Sequence, residues 1–411
     1  MGVRRCALRS AVLGLTTLGV VTCGELAPEA LDSEAKASLD EVIRSAVDDE
    51  DVPGVVALVV TSDSVLYQGA FGVMDPAGNV AMRTNAIFQI FSMTKPVTSV
   101  GIMMLAEDGL LDLDSAASAY LPELNEREVF LGFDSAAGEL QTRPAARQIT
   151  VRDLLRHTSG FGYSFSNQAV LDLIRAGVPE RDHPLVHDPG GRWTYGMSTA
   201  FLGWIIEEVS GESLPDFFRS RIFEPLGMSD TGFDLGRDDY GRLAATYRRV
   251  DGELRGEPLP EQYQPTVRGD YGFLSTASDY GRFLQMILGL GARSGVRLLS
   301  ERSVEEMATD QLRGMVVTEQ PGVLPSLSRA FPLGAGRDGF GLGFQISRGE
   351  SIGRSPGSLS WAGLRNTHFW IDIERGIGVV LLVQMLPFYE ERVIQFLSDF
   401  EPSLYANLSH D

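Results

Sequence analysis

A chain of 411 residues, 44% hydrophobic and 22% charged, can bury one large core or two, and this balance excludes a fibrous repeat or a chain disordered throughout. Thirty-five basic residues against 55 acidic ones leave a net charge of −20, which argues against nucleic acid and anionic membrane surfaces as partners. The only cysteines, Cys6 and Cys23, lie near the N-terminus, so the rest of the chain has no disulfide framework, cysteine zinc site or thiol nucleophile.

Residues 1–22 read as an export signal: Arg4, Arg5 and Arg9 precede the apolar run Ala11 to Val21, which is too short to span a bilayer. The expected location is therefore periplasmic or secreted. Val20-Val21-Thr22-Cys23 is similar to a lipoprotein cleavage site, so a lipid anchor at Cys23 stands beside plain secretion; no other stable membrane insertion is expected. An amphipathic helix follows over Ser33 to Val47, then strands over Val55 to Thr61 and Val65 to Gly72, joined through Ser62-Asp63-Ser64. The apolar run Ile87 to Phe91 leads into Ser92 and a second apolar segment, Val97 to Leu105, suited to a buried helix. From about 112 to 300, helical patterns (Val151 to Leu155, Thr199 to Val209, Leu214 to Ile222, Thr276 to Leu288) alternate with Gly/Pro-rich loops. Residues 311 to 341 form a long Gly/Pro/Leu loop of the kind that serves as a lid or is disordered. Three further strand patterns, Gly343 to Arg348, Asn366 to Ile373 and Gly376 to Gln384, precede a helix from Tyr389 to Leu397.

Short connections favour neighbouring strands, so the expected fold is α/β (α+β). Its antiparallel five-stranded sheet is built from both ends of the chain and flanked by helices, with an inserted mostly helical lobe. The domain runs from 33 to 400, with an α/β lobe over about 33–111 and 300–400 and a helical lobe over about 112–300.

The chain has 33 arginines and only two lysines, Lys36 and Lys95. Arginine does not lose its proton in a protein, whereas a desolvated lysine does, so Lys95 is a candidate base. Each lysine completes a Ser-x-x-Lys pair, although 34 serines and two lysines supply only roughly 0.17 such pairs by chance. Ser33 and Lys36 lie in a polar stretch and read as a solvated helix face. Ser92 and Lys95 lie between apolar runs, and Pro96 is tolerable only in a first helical turn, so Ser92 starts a helix with both side chains on one face. Acyl transfer also needs a proton route and an oxyanion hole. Tyr195, in the glycine-flanked Pro189 to Ser198 loop, is a candidate proton carrier, its phenol lowered by a nearby lysine cation, and Gly363 lets backbone N–H groups approach a ligand. Taken singly, such a tyrosine reads as an ordinary core-edge residue.

In order and spacing these segments resemble the serine β-lactamase family in its class C branch, which includes family VIII carboxylesterases and D-amino-acid peptidases. The resemblance covers about 35 to 400. Beyond Ser92 and Lys95 it rests on Leu154 to Phe161, Phe223 to Met228, Gly272 to Tyr280 and Trp361-Ala362-Gly363. It implies a β-lactamase/transpeptidase-like fold, with Ser92 as acylated nucleophile and Lys95 as its base. Tyr195 would be the acid/base partner, and the N–H groups of Ser92 and Leu364 the oxyanion hole. Trp361, Ala362, Gly363 and Met197 would line the substrate site, and no cofactor or metal is implied.

Two departures bear on the substrate. Met197 stands where a β-lactamase of this branch carries an amide-binding asparagine, and Trp361 replaces the cation that holds the β-lactam carboxylate. Arg365 and Arg354 are the remaining candidates for that contact. The expected function is an exported serine hydrolase, a carboxylesterase for small acyl esters. The alternatives are a β-lactamase or D-alanyl peptidase acting on cell-wall peptides, or a non-catalytic binding protein on the same scaffold, which the retained Ser92, Lys95 and Tyr195 disfavour. The one Gly-x-Ser-x-Gly match, Gly353 to Gly357, precedes a strand pattern and not a helix, which disfavours an α/β-hydrolase elbow. His183 and His187 read as loop residues rather than metal ligands, His157 as a hydrogen-bonding turn residue, and His368 as strand packing.

Overall fold

The computed structural model describes residues 30–134, 138–234, 236–349 and 353–408. The export signal and Cys23 lie outside them. No helix among the described residues is long and apolar enough to cross a membrane.

The main sheet comprises β1 (Gly54–Val60), β2 (Val65–Asp75), β3 (Val80–Ala81), β4 (Gly339–Phe340), β5 (Gln345–Ile346), β6 (Leu359–Gly363), β7 (Thr367–Asp372) and β8 (Ile377–Leu382), in the order β4-β5-β6-β7-β8-β1-β2-β3. All described pairings in it are antiparallel. The expected five strands are thus present, and the sheet is extended to eight by the two-residue strands β3 and β4 and by β6, which pairs with β7. The strand expected over Gly343 to Arg348 shortens to β5 because only Gln345 and Ile346 pair with β6.

Five helices frame the site: α1 (Ser33–Asp48), α2 (Thr94–Glu107), α3 (Ser198–Ser210), α4 (Ala277–Leu288) and α5 (Glu391–Ala406). β1 shows why the sheet reads as unbroken apolar runs. Val56, Leu58 and Val60 face one core with α2, α3 and α4, whereas Val55, Ala57 and Val59 face another with α1 and α5. Both faces are covered, so no polar alternation survives.

Two boundaries differ from expectation. α4, assigned by sequence to the inserted lobe, lies on β1 and β8 and therefore belongs with the sheet. α5 runs nine residues beyond Leu397, through Pro402, because Phe400 and Leu404 continue the stripe that packs on α1. The segment between α2 and α4 is not wholly helical either: it holds the hairpins Glu128–Phe133 with Leu140–Pro144 and Tyr247–Val250 with Glu253–Gly256.

Candidate active site

Ser92 sits in a single 3-10 turn, Phe91–Met93, that runs directly into α2. Phe91 has φ +43°, a left-handed conformation that costs a non-glycine residue roughly 1–2 kcal/mol. Its neighbours hold it there. Ile90 N–H donates to the Phe273 carbonyl at 3.0 Å, Phe273 N–H donates to Thr94 Oγ1 at 3.3 Å, and the Tyr280 hydroxyl donates to the Met93 carbonyl at 3.0 Å. The segment 269–280 is therefore a clamp on the nucleophile turn.

The i, i+3 spacing brings Lys95 Nζ to 3.1 Å from Ser92 Oγ. Lys95 is 2% exposed, and Nζ also donates to the Tyr163 hydroxyl at 3.0 Å and the Asp270 carbonyl at 2.8 Å. Burial lowers its pKa to about 7; Asp270 opposes that shift and Arg268 adds to it. Asp270 is fully buried: its carboxylate accepts from Arg268 Nε at 2.8 Å and from the Tyr163 hydroxyl at 2.5 Å. The Tyr163 hydroxyl donates its proton to Asp270, so the phenol oxygen is left to accept from Lys95. Tyr163, Asp270 and Arg268 were missed by sequence reading. Tyr163 lies two residues beyond the Leu154 to Phe161 segment, and nothing in its spacing marks it out.

Tyr195 is also buried beside Lys95, whose Nζ lies 4.8 Å from its ring centroid. Gly196 allows this placement, since a Cβ there would collide with the Phe161 carbonyl. The lowered phenol expected from a nearby cation is not found. Burial raises the Tyr195 pKa, with hydrogen bonds from Ser92 and Trp361 opposing, so the phenol is protonated at neutral pH. Trp361 Nε1 donates to the Tyr195 hydroxyl at 3.2 Å, and the rings of Trp193, Phe331 and Trp361 pack around Tyr195. The loop residue Phe331 thus closes on the site from the long segment 311–341.

Strand β6 runs against the nucleophile turn at Gly363, where a Cβ would collide with the Ile90 carbonyl, and Leu364 follows immediately. Ala362 pairs with His368, and together with Trp361 and Arg354 these residues line a cavity of about 160 Å³. Met197 is 1% exposed and belongs to the main core cluster, as do Tyr195 and Trp361. Arg354 does not reach Ser92, because it is held by Glu401 and lies over Trp370. Arg365 does come close, over the ring of Phe91 at 4.9 Å.

The histidines are elsewhere engaged. The His157 backbone bonds in its turn as expected, but its Nδ1 has no partner and its ring packs on Trp193, Tyr195 and Phe340. Its pKa is lowered well below the usual value by burial and then by Lys95. His183 bonds to the Val178 carbonyl and His187 to Thr194, while His368 stacks on Phe388.

A buried amine, a serine hydroxyl and a protonated phenol at one helix start form an acyl-transfer constellation. An uncharacterised Mycobacterium tuberculosis protein is 33% identical over 370 residues, covering 84% of this chain and 89% of its own. The esterase EstB of Burkholderia gladioli is 27% identical over 407 residues, covering 88% and 94%. A mutant simvastatin synthase from Aspergillus terreus superposes with TM-score 0.79 at 26% identity, covering 92% of this chain and 96% of that one. The Beta-lactamase family model matches residues 39–400, and the chain belongs to the beta-lactamase family, as a serine hydrolase or acyltransferase with its β-lactamase/transpeptidase-like fold.

Proposed function

We propose that this protein is an exported carboxylesterase that cleaves small acyl esters through an acyl-enzyme on Ser92. The observation that carries the reading is the hydrogen-bond polarity at Lys95. A neutral amine has two N–H groups and one lone pair. The Asp270 carbonyl only accepts, and the Tyr163 oxygen is left to accept, so both N–H groups are spent on them. The lone pair then faces Ser92 Oγ, where a general base has to point.

Lys95 takes the Ser92 proton as Oγ attacks the ester carbonyl carbon, and the oxyanion forms toward the N–H groups of Ser92 and Leu364. Tyr195 gives its proton to the departing alkoxide and regains one from the Lys95 ammonium. A water molecule repeats the sequence to release the acid and restore Ser92. Trp361 contributes an aromatic wall in place of a cation, which favours esters over anionic β-lactams. The likeness to EstB supports the ester reading. Export rests on the segment from Arg4 to Val21; the mass of the mature chain recovered from outside the cytoplasm checks it.

A second reading is transfer of the acyl group to an alcohol instead of water. It is favoured by the aromatic rings that close on Tyr195, which limit access of water to the acyl-enzyme, and by the likeness to simvastatin synthase. Hydrolysis of p-nitrophenyl butyrate with and without an added alcohol separates the two: free butyrate as the dominant product supports the esterase, and butyrate ester of the added alcohol supports the transferase.

A further inference from the structure

The cavity of about 160 Å³ lined by Trp361 and Ala362 has no role in the chemistry so far. It starts at the acid/base residue. Phe331 and Trp361 both line it, and both pack on the Tyr195 ring, at 5.6 and 4.8 Å between centroids. Trp361 Nε1 also donates to the Tyr195 hydroxyl at 3.2 Å. Ala362, on the same wall, precedes Leu364 by two residues, about 7 Å of extended chain, which one aryl-methyl group spans. A group bound there lies on the side from which Tyr195 delivers its proton, the side of the departing alcohol.

Size and lining define what fits. A cavity of about 150 Å³ holds one benzene ring. The wall is aromatic: Phe388 lies 5.2 Å from Phe331 and 6.2 Å from the His368 ring, between centroids. Its charges cancel, since Arg337 pairs with Asp338 at 2.8 Å and Arg354 with Glu401 at 2.6 Å. His368 adds none, because burial and then Arg354 lower its pKa to about 3. A charged ligand would lose its hydration here without gaining a counter-ion. Two polar groups on the wall are short of a partner. His368 is 7% exposed, and its Nε2 is buried without a hydrogen bond. The Tyr389 hydroxyl accepts from Leu333 N–H at 3.1 Å, but its own proton, held by burial to a pKa of about 12, meets no acceptor among the described residues. Tyr389 is kept there at φ +59°, a costly conformation for a non-glycine residue, by its N–H bond to Asn366 Oδ1 at 2.9 Å. A hydroxyl on a bound ring can accept from Tyr389 and meet either tautomer of His368.

We propose that this cavity is the leaving-group subsite, making the preferred substrates short-acyl esters of neutral, hydroxylated aryl-methyl alcohols. As the bond from Ser92 Oγ to the acyl carbon forms and the ester C–O bond breaks, the alkoxide departs toward the cavity and takes the Tyr195 proton. This rests on Ser92 being the nucleophile.

The test compares kcat/KM for n-butyl, benzyl and 3-hydroxybenzyl butyrate, with 3-carboxybenzyl butyrate as the charged ester and n-butyl (3-hydroxyphenyl)acetate carrying the ring on the acyl side. In the parent enzyme benzyl is expected to exceed n-butyl at least about tenfold through burial of the ring, and 3-hydroxybenzyl to exceed benzyl about fivefold, the size of one neutral hydrogen bond. The carboxybenzyl ester should fall below benzyl. Tyr389→Phe should erase the preference for the hydroxyl and retain the preference for the ring. The subsite is overturned if the parent prefers neither ring nor hydroxyl, or only one of them, or if it favours the carboxybenzyl ester. A larger gain with the ring on the acyl side, or a hydroxyl preference that survives in Tyr389→Phe, overturns it equally. Hydrolysis that survives in Ser92→Ala overturns the underlying nucleophile reading instead. Should Tyr389→Phe not fold, inhibition of the parent enzyme by m-cresol that is competitive with 3-hydroxybenzyl butyrate, and stronger than inhibition by 3-methylbenzoate, supports the subsite. Equal inhibition by both, or no competitive inhibition by m-cresol, overturns it.

Discussion

The chain carries the same four-residue spacing twice, and the two copies differ in everything but spacing. Ser33 and Lys36 begin α1 on its solvent face, both exposed, with Asp32 capping the helix through the N–H groups of Glu34 and Ala35. Ser92 and Lys95 begin α2, where Lys95 is buried and neither the 3-10 turn nor the helix start has a side-chain cap. Spacing puts the two groups of either pair on one helix face. Desolvation and two fixed hydrogen-bond acceptors, the Tyr163 oxygen and the Asp270 carbonyl, make only the second lysine a candidate base. Sequence motif and chemical function are thus separated by burial.

The sharpest way to break this contrast is to remove each serine. Ser92→Ala is expected to lower kcat by at least about 10⁴-fold and abolish labelling by a fluorophosphonate, since no other group forms the acyl-enzyme, whereas Ser33→Ala should leave both unchanged. Labelling that persists in Ser92→Ala would refute the assignment.

Next in size is Lys95→Arg, which keeps the charge but cannot accept a proton. A loss of about 10³-fold is expected from removing a general base. Activity within tenfold of the parent would mean that the cation alone matters. The corresponding Lys36→Arg change should have no effect.

A smaller effect reports on what surrounds Lys95. Since its pKa is lowered to about 7, the neutral base form grows as pH rises through that value, and kcat/KM should rise along an acid limb centred near 7. Asp270 raises this pKa and Arg268 lowers it, so Asp270→Asn leaves the lowering influence unopposed and should move the limb to lower pH, with an activity loss of about 10–100-fold. A lower plateau with the limb unmoved would reduce Asp270 to a packing role. Tyr163→Phe removes an acceptor for Lys95 and should lower activity by a similar factor, yet it leaves the carboxylate in place.

The smallest expected change concerns selectivity. In the parent enzyme kcat/KM for p-nitrophenyl acetate or butyrate should stand well above that for benzylpenicillin. Trp361→Lys should shift the ratio toward the β-lactam by about tenfold, because it supplies a cation on the strand that borders Ser92. Penicillin hydrolysis at or above the ester rate in the parent enzyme would overturn the ester reading. The same substitution removes the Trp361 bond to Tyr195, so some loss on both substrates is expected.

Much of this was legible in the primary structure. The continuous apolar run of β1, the alternating edge of the hairpin, the helix start at Pro96 and the pairing of Ser92 with Lys95 are set by neighbours within a few residues, where periodicity and spacing operate. The strands of the sheet could be anticipated for the same reason, whereas the placement of Gly363 and Leu364 beside Ser92 followed only from the family resemblance. Long-range packing decided the rest. Tyr163 and Asp270 bind Lys95 from 68 and 175 residues away, and no local pattern marks them. Whether Tyr195 is lowered by a cation or raised by burial, and which of Arg354 and Arg365 is held by a carboxylate, depend on what the folded chain brings against each group. Local sequence determines which groups are available and on which face they lie; dielectric environment and hydrogen-bond partners, which set their chemistry, exist only after distant segments have packed.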